Sequence, residues 1–508
     1  MRTVCLLTAG TGTRMGRYST IINKSLLPID NKAIISHIIE QFPIDTDFVV
    51  ALGYQGSTVK DYLNAAHYDR HFTFVEVENF DGPGSGPAHS VYCCKEYLEN
   101  KTNGFTLIAC DGYYSNLNKI PLDRDVVCAS IINPIESPAY CNIIPHENFV
   151  SHVVDKKYCD SGLACNGVYH FFNATKFFES LYGTELSSGY AYLTPHIFKL
   201  EWVDLGTYDK YIKYYNRNFD AGSYDYSKSD EFLYFVNGRV IKFFHDKNMA
   251  ANRVSRAKDR PYFPEIMYYN DHIYSYKFSS GETLYNTNNI DIFKRLLEFL
   301  TDIVWPDVKT DDKLTVKECL DFYKTKTYKR LELFEKKYPD FSPKYVNGTK
   351  IYKTMRECLD LVPWKSITET NIDNRTAYIH GDLQFDNILY DGEKFTLLDW
   401  RQDFAGKTTY GDAYYDIAKL LGGMIINYDL IKKNLFTFTE NNNQVYYDYA
   451  RRASYDDMID YIRYEFLPDD YNIIIANIVT LIYLNMSPLH EPPYDKMLYS
   501  IALERFNR

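Results

Sequence analysis

Short apolar runs alternate with amphipathic stretches through the first 210 residues, the pattern of an α/β fold with a mostly parallel sheet. Thr3–Leu7 reads as a buried first strand running into a Gly-rich turn, and Ile34, Ile35, Ile38 and Ile39 fall at helical spacing within Ala33–Gln41. Phe48–Leu52, Thr73–Val77 and Phe105–Ala109 read as further strands, with a helix starting at Ser57–Leu63. Between Tyr214 and Asp230 the periodicity is lost, and a boundary is placed there, giving domains at residues 1–220 and 221–508. Beyond it the pattern changes. Glu231–Val236 and Arg239–Phe244 flank Asn237-Gly238, a hairpin signature, and residues 290–360 are largely helical in pattern. A β-rich opening followed by helices predicts an α+β second half.

Composition narrows the function. At 508 residues, with 45% hydrophobic and 24% charged positions, the chain is an ordinary globular protein of more than one domain. Its 48 tyrosines are read as compositional bias. A formal charge of −11 excludes a broad nucleic-acid footprint, yet still permits a nucleotide bound by a few local cations. The ten cysteines follow neither a disulfide framework nor a zinc pattern, so reduced thiols in a cytoplasmic protein are expected. The apolar N-terminal stretch is too short for a signal peptide, and Ile473–Leu484, interrupted by Asn477, falls short of a membrane span.

Two motifs carry chemistry. The first is Leu7-Thr8-Ala9-Gly10-Thr11-Gly12-Thr13-Arg14-Met15-Gly16, followed by Asn23-Lys24-Ser25-Leu26-Leu27-Pro28. Glycines directly after a buried strand let backbone N–H groups approach phosphate oxygens. Gly16 comes one residue late for a dinucleotide fingerprint, and two cations, Arg14 and Lys24, follow, which suits a triphosphate better. These residues resemble the sugar and phosphocholine nucleotidyltransferase family over about the first 215 positions, with Asn23 where that family usually has Pro. The resemblance implies a three-layer, Rossmann-like nucleotidyltransferase fold. It implies that Leu7, Ala9, Gly10, Thr11 and Gly12, with Gly84 and Ser85 of a second Gly-rich loop, hold the nucleotide. Arg14 and Lys24 would neutralise charge at the attacked α-phosphate and the leaving pyrophosphate. Asp111, ending a strand, and Asp204, in Trp202-Val203-Asp204-Leu205-Gly206-Thr207, resemble that family's Mg²⁺-holding carboxylates, and Asn166-Gly167 resembles its acceptor-contacting segment.

The second motif is His380-Gly381-Asp382-Leu383-Gln384-Phe385-Asp386-Asn387, with Leu398-Asp399-Trp400 shortly after. Phosphoryl transfer needs a carboxylate at the acceptor hydroxyl, here Asp382, and oxygen ligands for Mg²⁺, here Asn387 and Asp399. The motif resembles the aminoglycoside phosphotransferase and choline kinase family, which implies a bilobed protein-kinase-like fold from about residue 225, with Lys242 as the ATP-phosphate lysine. No G-x-G-x-x-G covers the nucleotide, where only Ser227-Lys228-Ser229 stands, and His245–Lys258 offers only Asp246 as an acid to pair with Lys242. No A-P-E follows Asp399, which favours a small acceptor over a protein. Asp412 and Asp416, one helical turn apart, are candidates for ordering the loop or binding the acceptor.

Together these predict a bifunctional enzyme using ATP, a second nucleoside triphosphate and Mg²⁺ at both sites. It phosphorylates a small hydroxyl compound and couples the product to the triphosphate, CTP with choline being the first expectation and a sugar or polyol the competitor. Such fusions resemble bacterial enzymes that activate building blocks for surface polysaccharide. The alternative is a kinase whose N-terminal domain only senses nucleotides; an oxidoreductase fusion and a protein kinase rank lower. Neither nucleic acid nor membrane is an expected partner.

Overall fold

The computed structural model describes residues 2–190, 193–218, 230–287, 289–306 and 313–508. The expected domain junction at 220 and 221 and the Ser227–Ser229 segment lie outside the described residues. The chain forms two compact units. The described residues of the first lie within Met1–Asn218, Ser229–Lys247 and Met267–Tyr276, and those of the second within Asn248–Ile266 and Lys277–Arg508.

The main sheet of the first unit has, among the described residues, nine strands: β1 (Thr3–Leu7), β2 (Asp47–Leu52), β3 (His71–Glu76), β4 (Phe105–Ala109), β5 (Val126–Ile131), β6 (Cys141–His146), β7 (Phe149–Asp155), β8 (Leu163–Phe171) and β9 (His196–Lys199). Their order is β3-β2-β1-β4-β8-β5-β9-β7-β6. Pairing is parallel from β3 through β4 and again between β5 and β9, but antiparallel where β8 meets β4 and β5 and where β7 meets β9 and β6. The sheet is therefore mixed, and the expected parallelism holds for the half that carries the Gly-rich turn. Chain order reverses across β1, between β2 and β4, so the crevice beyond their carboxyl ends is where a ligand binds in such sheets.

Successive residues of β1 point to opposite faces, which explains its uninterrupted apolar run. Val4 and Leu6 pack with Ile35, Ile38, Val59 and Tyr62, on the helices Ile34–Ile39 and Gly56–Ala66. Cys5 packs instead with Val91, Phe177 and Phe178, on the helices Pro87–Cys93 and Ala174–Ser180. Two helical layers thus enclose the sheet. Each such fully buried aliphatic side chain contributes about 2 kcal/mol.

The strands Glu231–Val236 and Arg239–Phe244 pair antiparallel with the register the sequence predicts. Asn237 and Gly238 both have positive φ, 49° and 68°, as a type I′ turn requires. With Ile273–Lys277 and Ile266–Asn270 they form a four-stranded sheet. In the first unit the Tyr234 hydroxyl donates to the Leu26 carbonyl at 2.7 Å.

The second unit is mostly helical. Helices Val316–Cys319 and Met355–Leu361 start at capping boxes, Thr315 with Glu318 and Thr354 with Glu357. A short hairpin, Tyr345–Val346 with Thr349–Lys350, interrupts the stretch expected to be helical. Ile473–Leu484 lies in the helix Asp469–Met486. By length and composition alone the stretch Tyr471–Leu489 could cross a bilayer despite Asn477, but 56% of it is buried inside the protein. Ile475, Ile478, Val479 and Leu484 are almost completely covered, the signature of a core helix. None of the ten cysteines is in a disulfide.

Candidate functional site

In the first unit the chain leaves β1 at Leu7 and turns through Gly10 and Gly12. Gly12 takes a left-handed φ of 63°, and a Cβ there would stand 3.6 Å from the Cβ of Lys24. Behind the turn, a Cβ on Gly53 would lie 2.6 Å from the Ala9 carbonyl oxygen, so only glycine permits that approach. The loop is pinned by Asn23. Its side-chain amide donates to the carbonyls of Thr8 (2.9 Å) and Tyr54 (2.8 Å), while its Oδ1 accepts from the amide and hydroxyl of Ser25. Asn23 is 1% exposed. The departure from Pro noted in the sequence is thus a staple that fixes Lys24 against the Gly-rich turn. Removing two buried hydrogen bonds costs about 1–3 kcal/mol. Asn23→Ala is expected to lower the urea midpoint by that measure and to raise the KM for the nucleoside triphosphate about tenfold. An unchanged KM would deny the staple any part in binding.

Lys24 Nζ lies 2.7 Å from Asp111 Oδ2. Burial pushes the Asp111 carboxyl up, but the Lys24 ammonium, its hydrogen bond and Arg14 together hold it below its ordinary value. The Leu205 amide donates to the Asp111 carbonyl, and the Gly206 amide to Asp204 Oδ1 at 2.8 Å. A Cβ on Gly206 would stand 3.1 Å from Asp204 Oδ1, 3.5 Å from Asp111 Oδ2 and 3.8 Å from Arg14 Nη2. Both carboxylates and the arginine therefore converge on one point, and Lys24 joins through its ion pair. Asp204 Oδ2 also receives Lys210 at 2.5 Å and the Tyr140 hydroxyl at 2.9 Å, and neither partner was singled out from sequence. Lys210 lies six residues past Asp204, on the helix Tyr208–Tyr215, so its spacing alone gives no sign of the contact.

Gly84 and Ser85 lie in the loop before the helix Pro87–Cys93. Gly84 has a φ of 85° with open space where a Cβ would go, and the Ser85 amide donates to the Gly82 carbonyl. Asn166 is buried, its amide donating to Ser130 Oγ at 3.1 Å and its Oδ1 accepting from the Val168 amide. Gly167, at a φ of 83°, lets β8 approach to where a Cβ would meet that of Ala109 at 2.9 Å. Both residues shape the β8 irregularity between Cys165 and Tyr169. Lys242, in the first unit, lies opposite Leu233 on its strand.

In the second unit the motif around Asp382 is laced to the segment around Asp399. His380 Nε2–H donates to the Leu398 carbonyl at 2.7 Å, and its Nδ1 accepts from the Asp382 amide at 3.2 Å. Burial lowers the His380 pKa to about 4, so the ring is neutral and serves as a spacer. The Asn387 side-chain amide donates to the Asp382 carbonyl, and the Leu398 amide to the Asn387 carbonyl. Asp399 sits at a φ of 55°, a left-handed conformation that Asp tolerates better than most residues, and is ion-paired with Arg253. Sequence reasoning sought a glutamate on the helix Lys247–Ala257. The helix supplies Arg253 to Asp399 instead, and Arg256 to the Ile379 and Arg401 carbonyls.

Asp382 Oδ1 is 2.7 Å from Lys419 Nζ, with Lys419 almost buried and Asp382 39% exposed. Burial raises the Asp382 carboxyl, and Lys419 more than offsets this, leaving it below the ordinary range. Lys419 lies on the helix Ala413–Ile425, thirty-seven residues past Asp382, so no local spacing signals the contact. Lys419→Met is expected to move the acid limb of kcat/KM for phosphorylation to higher pH, because the cation that favours the carboxylate is gone. A pH profile that does not move would remove Lys419 from this role.

Of the two roles expected for Asp412 and Asp416, the surroundings of both side chains suit ordering the loop and not binding the acceptor. Both are completely buried. Asp416 accepts the amides of His380 (2.8 Å) and Gly381 (2.7 Å) and the Trp305 indole N–H, and burial raises its pKa to about 6. Asp412 holds the Arg375 guanidinium, the Tyr323 hydroxyl and the Tyr414 amide. Neither presents an oxygen to an acceptor; they order the Asp382 loop and the helix behind it.

Among the described residues no group of three or more His, Cys, Asp or Glu side chains is placed to hold a metal. The converging oxygens of Asp111 and Asp204, and the Asn387 and Asp399 side chains at the second motif, are hard donors of the kind Mg²⁺ prefers, completed by phosphate and water.

Residues 4–116 match the family model described as the MobA-like NTP transferase domain, and residues 327–455 that described as the phosphotransferase enzyme family. No protein of curated function matches the chain. Among solved structures it is similar to a UDP-glucose pyrophosphorylase complexed with UDP-glucose (19% identity, 42% of this chain and 97% of that one, TM-score 0.36). It is also similar to a putative glucose-1-phosphate thymidylyltransferase from Bacillus anthracis (17%, 44% and 98%, TM-score 0.36). A third is the CTP:phosphocholine cytidylyltransferase from Streptococcus pneumoniae (19%, 42% and 97%, TM-score 0.33).

Proposed function

We propose that this chain, an enzyme with an N-terminal NTP transferase domain and a C-terminal phosphotransferase domain, runs two consecutive reactions on one small molecule. In the phosphotransferase domain an acceptor hydroxyl attacks the γ-phosphorus of ATP, the bridge to the β-phosphate breaks, and ADP leaves. Asp382 accepts the hydroxyl proton as the new bond forms. Its lowered pKa makes it a weak base, which suffices for a loose transition state in which the proton moves late; its main work is to aim the hydroxyl. In the transferase domain an oxygen of the resulting phosphomonoester attacks the α-phosphorus of a second nucleoside triphosphate, and pyrophosphate leaves. Lys24 and Arg14 neutralise the charge that builds there.

Asp111 and Asp204 would hold Mg²⁺ in the first domain, and Asn387 and Asp399 in the second; the ion would neutralise phosphate oxygens. The observation that carries this reading is the convergence of Asp111, Asp204 and Arg14 at Gly206, with Lys24 attached: a domain that only sensed nucleotides has no need of two carboxylates aimed at one point. CTP is the favoured triphosphate, and a nucleotide-activated building block for surface polysaccharide the favoured product.

Mass spectrometry of products from the purified chain with Mg²⁺, ATP and CTP, GTP, UTP or dTTP in turn tests this. Supplied with small hydroxyl compounds, the chain is expected to give a nucleotide-diphosphate adduct with one triphosphate. Phosphorylated acceptor without an adduct for any triphosphate would favour the sensor reading.

A further inference from the structure

The second unit gathers cations, linked to Asp382 through Tyr415 and Lys419, that no part of the mechanism above uses. The helix Lys326–Lys337 follows the segment Leu320–Thr325 and carries Lys326, Lys329 and Arg330 along one side. With Asp321, Thr325 and Leu333 these three line a cavity of about 420 Å³. The Lys326 ammonium lies 4.3 Å from the Phe322 ring centre and 5.9 Å from that of Tyr415, and the Arg401 guanidinium lies 5.1 Å from the same Phe322 ring. Phe322 and Tyr415 meet edge to face, and Tyr415 is one turn before Lys419, the partner of Asp382.

Among the described residues Lys326, Arg330 and Arg401 form no ion pair with a carboxylate, although Lys419 does. Asp403 raises Lys326, but less than burial and the neighbouring cations lower it. Burial, then Arg401, Arg330 and Lys419, hold the Lys326 ammonium well below its usual range. Burial and Arg401 likewise lower Arg330. Like charges assembled on half-buried ground repel one another and cost stability unless an anion joins them. Aromatic faces beside them keep such cations close but do not neutralise them.

We propose that the hydroxyl compound phosphorylated at Asp382 is an anion, a carboxylate or a phosphate ester, whose charged group is seated by Lys326, Arg330 and Arg401. This deepens the two-step reading and rests on it: it names an anionic acceptor, and Asp412 and Asp416, buried and internally bonded, offer no carboxylate to a cationic one. Three cations, Lys326, Lys329 and Arg330, line the cavity against one carboxylate, Asp321, so its lining keeps an excess of positive charge. A planar carboxylate or a phosphate accepts from two or three such donors at once.

Calorimetry on the full chain, saturated with Mg²⁺ and a non-hydrolysable ATP analogue, tests the proposal. The probes are glycerate, glycerol 3-phosphate, glycerol and choline. Glycerate or glycerol 3-phosphate is expected to bind, whichever fits better naming the carboxylate or the phosphate as the natural group, and glycerol and choline at least about tenfold more weakly. Lys326→Gln and Arg330→Gln are each expected to weaken the anion about tenfold, Lys326→Arg much less, with analogue affinity retained. Choline or glycerol binding as tightly as the anions, absent binding of both anions, or loss of analogue affinity in the two Gln variants would overturn it; the last outcome would assign the cluster to ATP. Turnover of ATP lost in Asp382→Asn reports separately on the two-step reading, so the two can fail independently.

Discussion

Asp382→Asn is expected to lower ATP-dependent phosphorylation by about 10³-fold, the usual effect of removing a positioned proton acceptor. The substitution keeps the size of the side chain and its place beside Lys419, so the loss falls on kcat while the KM for ATP holds. Its effect on the other reaction carries equal information. Supplied with a ready-made phosphomonoester and a nucleoside triphosphate, the same variant is expected to release pyrophosphate at the wild-type rate. Asp382 lies in the second compact unit and Asp111 in the first, and sites that share no partner behave additively. Pyrophosphate release that falls in parallel with phosphorylation would mean that the two motifs do not serve separate reactions.

The reciprocal substitution is Asp111→Asn. The carboxylate it removes pairs with Lys24 at 2.7 Å and shares a point of convergence with Asp204 and Arg14. Losing it strips a hard donor from the place where an α-phosphate would sit and leaves Lys24 free to swing. Pyrophosphate release is expected to fall about 10²–10³-fold, as when a preorganised electrostatic contact is withdrawn. Phosphorylation of the acceptor is expected to continue, so the phosphomonoester accumulates. An Asp111→Asn protein that still makes adduct at the normal rate would remove the carboxylate pair from the chemistry and leave the Gly-rich turn as a binding element alone.

The strands of the first unit were legible because full burial on both faces writes an apolar run, and the run Phe105–Ala109 coincides with β4 to the residue. The Asn237-Gly238 hairpin was legible because Asn-Gly is one of the few dipeptides that accommodate two successive positive φ values easily. The antiparallel outer strands were not, since neither β6 nor β7 is fully buried and partner choice depends on distant register. The motif residues could be read from their spacing, but what holds them could not. Asn23 lies fifteen residues from Thr8 and thirty-one from Tyr54, and Arg253 lies far from Asp399 in the chain. No local rule announces such contacts. Asp412 and Asp416 were legible as a pair one turn apart but not as to which of two roles they take: the buried amides of His380 and Gly381 need an internal acceptor, and Asp416 supplies it.

The central claim is that one phosphorus atom passes through both reactions. The direct test gives the full chain ATP labelled with ³²P at the γ-position, an unlabelled second triphosphate and its acceptor, and follows the label. The account predicts that the label enters the nucleotide-diphosphate adduct at the phosphorus attached to the acceptor, with none in released pyrophosphate. Both Asp382→Asn and Asp111→Asn should abolish labelled adduct, the second while labelled phosphomonoester builds up. Label confined to the phosphomonoester, or adduct formed without it, would contradict the account.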